Sequence, residues 1–173
     1  MFFAYRRYWE YFKYIVKHKL YVFLAGIDLG IPLLALMHDN SKFLPSQFLP
    51  YARFFYEPDG SRRRRRDKTG YYKPVDTGDT NFDRAWFEHQ KVSKHHWQYW
   101  VYPTDGAAEW RAIDMPEKYR REMLADWIGA GRAQGTNDVV GWYDKNKDKL
   151  VLHPGTRSWI EGEIWIKRFV RNQ

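Results

Sequence analysis

Apolar and aromatic residues recur at helical spacing from the start of the chain, with Phe3, Tyr8, Tyr11, Phe12, Ile15 and Val16 setting the pattern. It predicts a long first helix from Phe2 to about Leu24, ended by the stretch Gly26 to Gly30. Asp28 is placed to cap a second helix, whose first turn tolerates Pro32 and whose apolar residues Leu33, Leu34, Leu36 and Met37 lead to His38-Asp39. Pro45-Ser46 opens a third helix through Gln47 to Tyr56. Glu57 to Thr80 is rich in Gly, Pro, Asp and Arg, too long and polar for a tight turn, and reads as a mobile excursion. Asn81 opens the next helix, with Phe82, Ala85, Trp86 and His89 on one face. Tyr102 to Pro116 reads as a loop and Glu117 to about Ala133 as a helix carrying Met123, Ala125 and Trp127. Asn137 or Asp138 caps a short helix with Trp142 and Tyr143, Lys149 to Leu152 reads as a brief extended piece, and Thr156 caps a terminal helix with Trp159, Ile160, Ile164 and Ile166. The expected class is all-α: one helical domain over residues 1–173, with a basic loop insertion at about 57–80 and at most a minor extended segment.

One stretch, Leu20 to Met37, imitates a membrane span. It holds Asp28, Gly26, Gly30 and Pro32 and runs straight into His38-Asp39, and an acid in mid-span is costly. It reads as a buried helical segment, so no membrane partner is expected. The N-terminus is interrupted by Arg6, Arg7, Glu10 and Lys13 and does not read as a secretory signal.

Composition narrows the chemistry. The 173 residues contain no cysteine, which excludes disulfides, thiolate metal sites and cysteine nucleophiles and fits a cytoplasmic setting. A metal must therefore be held by imidazole, carboxylate and water. Aromatic residues reach 19%, read first as an aromatic-rich core; Trp97, Tyr99 and Trp100 follow that reading, with stacking on a base as the alternative. The net charge of +8 owes much to the run Arg62 to Arg66, which reads as a solvated loop and, alternatively, as a contact for phosphates or nucleic acid.

The six histidines, His18, His38, His89, His95, His96 and His153, are the most informative residues. If the segment Met37 to Phe43 stays helical, Lys42 lies one turn beyond His38 and Asp39, and a cation beside a metal pair can hold a phosphoryl oxygen. Asp126 is an acid among apolar neighbours and needs a partner. Arg157 opens a helix, where a cation opposes the dipole, so it is a candidate for holding an anionic substrate group; His153 reads as structural.

The order His18, His38-Asp39 with Lys42, His89, His95-His96 and a late Asp126 resembles the HD superfamily. HD-x-x-K and the paired middle histidines resemble its bimetallic branch, which includes cyclic-dinucleotide phosphodiesterases. The Gly-Tyr-Pro signature of those enzymes is replaced here by Trp97-Gln98-Tyr99-Trp100, so their substrate does not carry over. The segments HDNSKF, AWFEHQKVSKHHWQYW, MPEKYRREMLADWIGAGRAQG and WYDKNKDKLVLHPGTR resemble an uncharacterised family common in phage and bacterial genomes. The resemblance implies an HD-like fold in which His18, His38, Asp39 and Asp126 bind a first divalent ion, with His89, His95 and His96 as candidates for a second. Mn, Fe, Co, Ni and Mg are the candidate metals. His89 and His96 stand about 10 Å apart along an unbroken helix, so sharing an ion requires the helix to end near Ser93 or Lys94.

The expected activity is metal-dependent phosphohydrolysis of a nucleotide or related phosphoester, with Asp39 bridging and Lys42 and Arg157 steadying developing charge. A di-iron oxygenase on the same fold and a non-catalytic nucleotide- or nucleic-acid-binding protein are the alternatives.

Overall fold

The computed structural model describes residues 5–63, 65–71, 76–106 and 109–171. Seven α-helices account for most of them: α1 (Arg6–Asp28), α2 (Pro32–Met37), α3 (Pro45–Phe55), α4 (Thr80–Val92), α5 (Glu117–Ala133), α6 (Val139–Asn146) and α7 (Pro154–Arg171). Short 3₁₀ turns at Asn40–Phe43, Trp97–Trp100 and Lys147–Lys149 join them. The protein is mainly α-helical, and among the described residues no helix is long and apolar enough to cross a membrane.

The first helix runs a full turn past its expected end. Gly26 stays helical because its missing side chain lets α2 fold back on α1: a Cβ there would lie 2.2 Å from that of Ala35. Ile31, not Asp28, precedes α2, and Pro32 occupies its first turn as expected. Asp79 caps α4 by accepting from the Phe82 N–H, so the helix begins at Thr80, one residue before the expected start, and Asp138 caps α6 through the Gly141 N–H. The start of the first helix at Phe2 and Phe3 lies outside the described residues.

The extended structure falls in a different place from the one expected. Lys149 ends a 3₁₀ turn, whereas the expected loop Tyr102 to Pro116 contributes to a small antiparallel hairpin, β1 (Val101–Pro103) with β2 (Trp110–Ala112), registered Val101 to Ala112. Thr156 does not cap α7, which begins at Pro154. Its hydroxyl instead donates to Asp114 and accepts from the Met115 N–H, pinning the helix to the preceding loop.

Two apolar cores share α1. Tyr11 and Ile15 pack with Tyr51, Phe54 of α3 and Phe82 of α4, where Phe54 and Phe82 stack at 3.9 Å. One to two turns on, Val22 and Ala25 pack with Met123 and Leu124 of α5, Tyr143 of α6 and Ile160 of α7. Gly129 permits a close approach between α1 and α5, since a Cβ there would lie 2.8 Å from the Val22 backbone nitrogen. His18 stands on α1 between these cores, and the site is built at their seam.

Candidate metal centre

Each candidate ligand is brought to the seam by a separate local device. His18 faces inward from α1 in register with Ile15 and Val22. The chain leaves α2 at Met37 and does not stay helical: Asp39 adopts a left-handed conformation (φ 55°), which a short acid tolerates better than most residues. Lys42 then lies on the 3₁₀ turn and still meets Asp39, with Nζ 2.5 Å from Oδ2. Lys19 ties this turn to α1 by donating to the carbonyls of Leu36 and His38 and to Asn40 Oδ1. Helix α4 stops at Val92, and Ser93 is extended, so the chain reverses and returns His95 and His96 toward His89. The break required for these histidines to converge is present.

Asp39 is the centre of the arrangement. Its Oδ2 faces His38 Nε2 at 3.4 Å and His18 Nε2 at 3.7 Å, and Asp126 Oδ1 approaches the same imidazoles at 3.5 and 3.2 Å. Its Oδ1 faces His89 Nε2 at 3.3 Å and His95 Nε2 at 3.4 Å. Two ligand groups thus share this carboxylate, His18, His38 and Asp39 on one side and Asp39, His89, His95 and His96 on the other, and His38, His95 and Asp126 form a third set that links them. Within each named set the donor atoms lie within 4.8 Å of one another. Asp39 Oδ1 and the Nε2 atoms of His38, His89, His95 and His96 are buried without a hydrogen-bond partner, whereas Asp39 Oδ2 is met by the Lys42 ammonium. Such orphaned acceptors are costly in a protein interior, and a divalent cation satisfies them together. The donor set fits one or two ions of the N/O-ligated kind.

Glu122 completes the cluster and escaped the sequence reading. Its Oε1 lies 3.1 Å from His38 Nδ1 and 3.3 Å from His95 Nδ1, so one oxygen orients an imidazole of each group. With Nδ1 donating to the carboxylate, Nε2 presents its lone pair inward. The available signal was its position one turn before Asp126 on the same face of α5. Ser41 and Ser93 do similar work for His89, their hydroxyls each 3.3 Å from Nδ1.

The electrostatics follow from burial opposed by proximity. Burial works against ionised Asp39, but His38, Lys42 and His89 outweigh it and hold its pKa well below the ordinary value; Asp126 is depressed likewise by His18 and His38. Burial also works against a charged His38, yet Asp39, Asp126 and Glu122 raise its pKa well above that of a free imidazole. His89 goes the other way, with burial lowering it to about 4, and burial depresses His96 too. The surrounding carboxylates thus favour the protonated form of His38, whereas burial favours the neutral, coordinating form of His89 and His96.

The cluster opens on a cavity of about 410 Å³, where His18, His96, Asp126 and Lys42 meet Trp86, Trp97 and Trp142. The basic excursion forms part of its wall. Arg62 and Arg66 line the cavity, the Arg62 guanidinium lying 5.2 Å from the centre of the Tyr14 ring, which stacks on His18. Arg63 pairs with Glu57, and Arg65 covers Phe54 and donates to its carbonyl; Arg64 lies outside the described residues. The described part of the excursion is also tethered, through Lys149 to Asp67 and Thr69 to Asn146.

Arg157 is the predicted site residue the fold does not deliver. Its guanidinium donates to the carbonyls of Lys147 and Leu150, capping the turn before α7, and it does not line the cavity. His153 is structural as expected: Nδ1 accepts from the Gly155 N–H at the start of α7. Trp100 packs against the core, whereas Trp97 both touches the core and lines the cavity.

Fold and site together define a mainly helical protein with a buried His/Asp cluster that could hold a metal ion. Over residues 7–165 the chain matches a family of unknown function, DUF5662, and it belongs to that family. No curated protein and no solved structure matches it.

Proposed function

We propose that this protein is a metal-dependent phosphohydrolase acting on a nucleotide or a related phosphoester. The observation that carries the reading is Asp39, whose two oxygens each face a separate set of imidazoles while Lys42 touches one of them. The resemblance of the ligand order to the bimetallic HD superfamily supports it. So does a cavity whose cations, Lys42, Arg62 and Arg66, accompany the faces of Trp86, Trp97 and Trp142.

A divalent ion held here lowers the pKa of a bound water and polarises a phosphoryl oxygen. The chain's own residues do the remaining work. Asp39 stays ionised and joins the two ligand groups. Lys42 stays cationic because Asp39 raises its pKa against burial, and its ammonium steadies negative charge that develops on the phosphoryl group. Glu122, Ser41 and Ser93 hold the imidazoles in coordinating orientation. Arg62 and Arg66 receive the more distant anionic part of the substrate.

The test combines metal analysis of protein purified without chelators with a panel of phosphomonoesters and phosphodiesters. Bound metal and hydrolysis responsive to Mn²⁺ are expected, Asp39→Asn should abolish turnover, and Lys42→Met should lower kcat by about 10²–10³-fold. Arg62→Ala should raise KM and spare kcat. Absence of both bound metal and a Mn²⁺ response would remove the reading. The same imidazole and carboxylate set also suits a di-iron oxygenase, which a coloured, iron-loaded protein consuming oxygen would identify instead.

A further inference from the structure

Helix α1 is apolar on two opposite faces. Tyr11, Ile15, Val22 and Ala25 face the cores. On the other side Trp9, Phe12, Val16, Leu20, Leu24 and Ile27 recur at spacings of three and four and are exposed, Trp9 by 59%, Leu20 by 54% and Ile27 by 50%. A helix in water keeps one apolar stripe and turns polar residues outward; one that is apolar on both sides belongs between two partners. The stripe extends onto neighbouring elements. Phe43 meets Phe12 at 6.2 Å, and α2, whose Leu36 carbonyl accepts from Lys19 on α1, exposes Leu33, Leu36 and Met37.

The geometry points to this face as the interface of a two-fold homodimer in which α1 pairs antiparallel with α1 of a second copy. Area is the first argument. At roughly 150–250 Å² for a large side chain, the exposed fractions of the patch sum to on the order of 1,000 Å². That exceeds the few hundred Å² of apolar patch usual on a monomer and matches the roughly 800 Å² per partner of a stable complex.

Charge is the second argument and fixes the direction. The first turn of α1 holds Arg6 and Arg7 and no acid, and its last turn ends on Asp28 and holds no base. This is the reverse of what the helix dipole favours. In an antiparallel pair, the basic end of each helix lies beside the acidic, carbonyl-bearing end of the other. The stripe residues themselves are uncharged, with Lys13, paired to Glu10 at 2.8 Å, and Lys17 along one edge, so the apolar strip can meet a copy of itself, as a two-fold interface requires. The midpoint of the stripe falls between Val16 and Leu20, which places those residues nearest the axis.

The face also abuts the metal centre. Helix α2 and the 3₁₀ turn that carry the exposed residues flank His38 and Asp39, so a second copy would cover the outside of the segment that supplies the shared carboxylate.

The full chain should sediment at about 42 kDa, twice its 21.0 kDa mass. Leu20→Glu should return it to the single-chain mass with an unchanged circular dichroism spectrum, and Val92→Glu, on an exposed part of α4, should leave the dimer intact. The chain has no cysteine, so single introduced thiols report the axis without background. Oxidised Val16→Cys should cross-link to itself. Ile27→Cys should not, yet should cross-link when mixed with Trp9→Cys. A single-chain mass at every concentration overturns the proposal, as does a dimer indifferent to Leu20→Glu. Self-cross-linking at Ile27 overturns the antiparallel pairing. Binding of a single-chain species to anionic lipid vesicles would assign the face to a membrane surface and overturn it as well.

Discussion

At Glu122 one carboxylate oxygen holds the Nδ1 atoms of His38 and His95, and those two imidazoles belong to different halves of the ligand set. Residues that orient a ligand are worth about 10–100-fold in metal affinity. Glu122→Ala should therefore weaken Mn²⁺ binding by about that factor, read by calorimetric titration; unchanged affinity would show that the imidazoles are fixed by packing alone. His38 supplies a second test. Asp39, Asp126 and Glu122 raise its pKa and so favour its protonated form in the metal-free protein, and coordination needs the Nε2 lone pair. Loading the first ion should thus release about one proton, measured from the dependence of binding heat on buffer ionisation. The residues that cluster here were legible because a His-Asp pair, scattered histidines and an acid in an apolar run are each unusual where they stand. Glu122 was not, because a glutamate in the charged first half of α5 is unremarkable until α2 and the turn after α4 arrive beside it. Arg157 misled for the complementary reason: the carbonyls of Lys147 and Leu150 that occupy it lie in a turn whose shape no periodicity records.

The helices themselves were easier to read than their ends. Repeats of three and four located all seven, since an amphipathic face is written in the sequence that makes it. The end of α4 near Ser93 could be inferred from what the histidines require of the backbone, and the structure has it there. The turn after α2 could not, because a left-handed Asp39 followed by a 3₁₀ turn has no hydrophobic signature. The close approach of α1 and α5 was likewise silent: Gly129 looks like a helix-weakening residue until Val22 is seen against it. Gly129→Ala should cost about 1–3 kcal/mol, because the added Cβ meets backbone that cannot rotate away. Relieving that clash separates α1 from α5, and with them His18 from Asp126, now 3.2 Å apart. Thermal denaturation should record the loss, and Mn²⁺ affinity should fall with it. A variant as stable as the parent, binding metal equally well, would mean that α5 has freedom to slide.

At the scale of the whole molecule, the ligands come from both sides of the seam. His89 and its neighbours follow the aromatic core of α3 and α4, whereas Asp126 and Glu122 belong to the core of α5 to α7. An ion joining them stabilises the native state alone, so Mn²⁺ should raise the melting temperature with concentration. The pH dependence gives this coupling a sign. His89 is depressed to about 4 from 6.5, so the unfolded chain binds more protons between those values; stability should fall across that window as acid is added, by on the order of 3 kcal/mol. Asp39 and Asp126, depressed below 3.8, extend the loss to lower pH. His38 is raised, so its contribution is complete below 6.5 and disappears as pH rises through its folded value. The metal-free protein should thus lose stability on both sides of an optimum near 6.5. A cation held by His38, Asp39 and their neighbours would displace the His38 proton. Loaded protein should therefore lose the alkaline decline and keep the acid one, because acid protonates the ligands and releases the ion. Urea unfolding across pH, with and without Mn²⁺, reads both arms. An alkaline arm that is the same with and without metal would mean that the ion does not sit where that proton does.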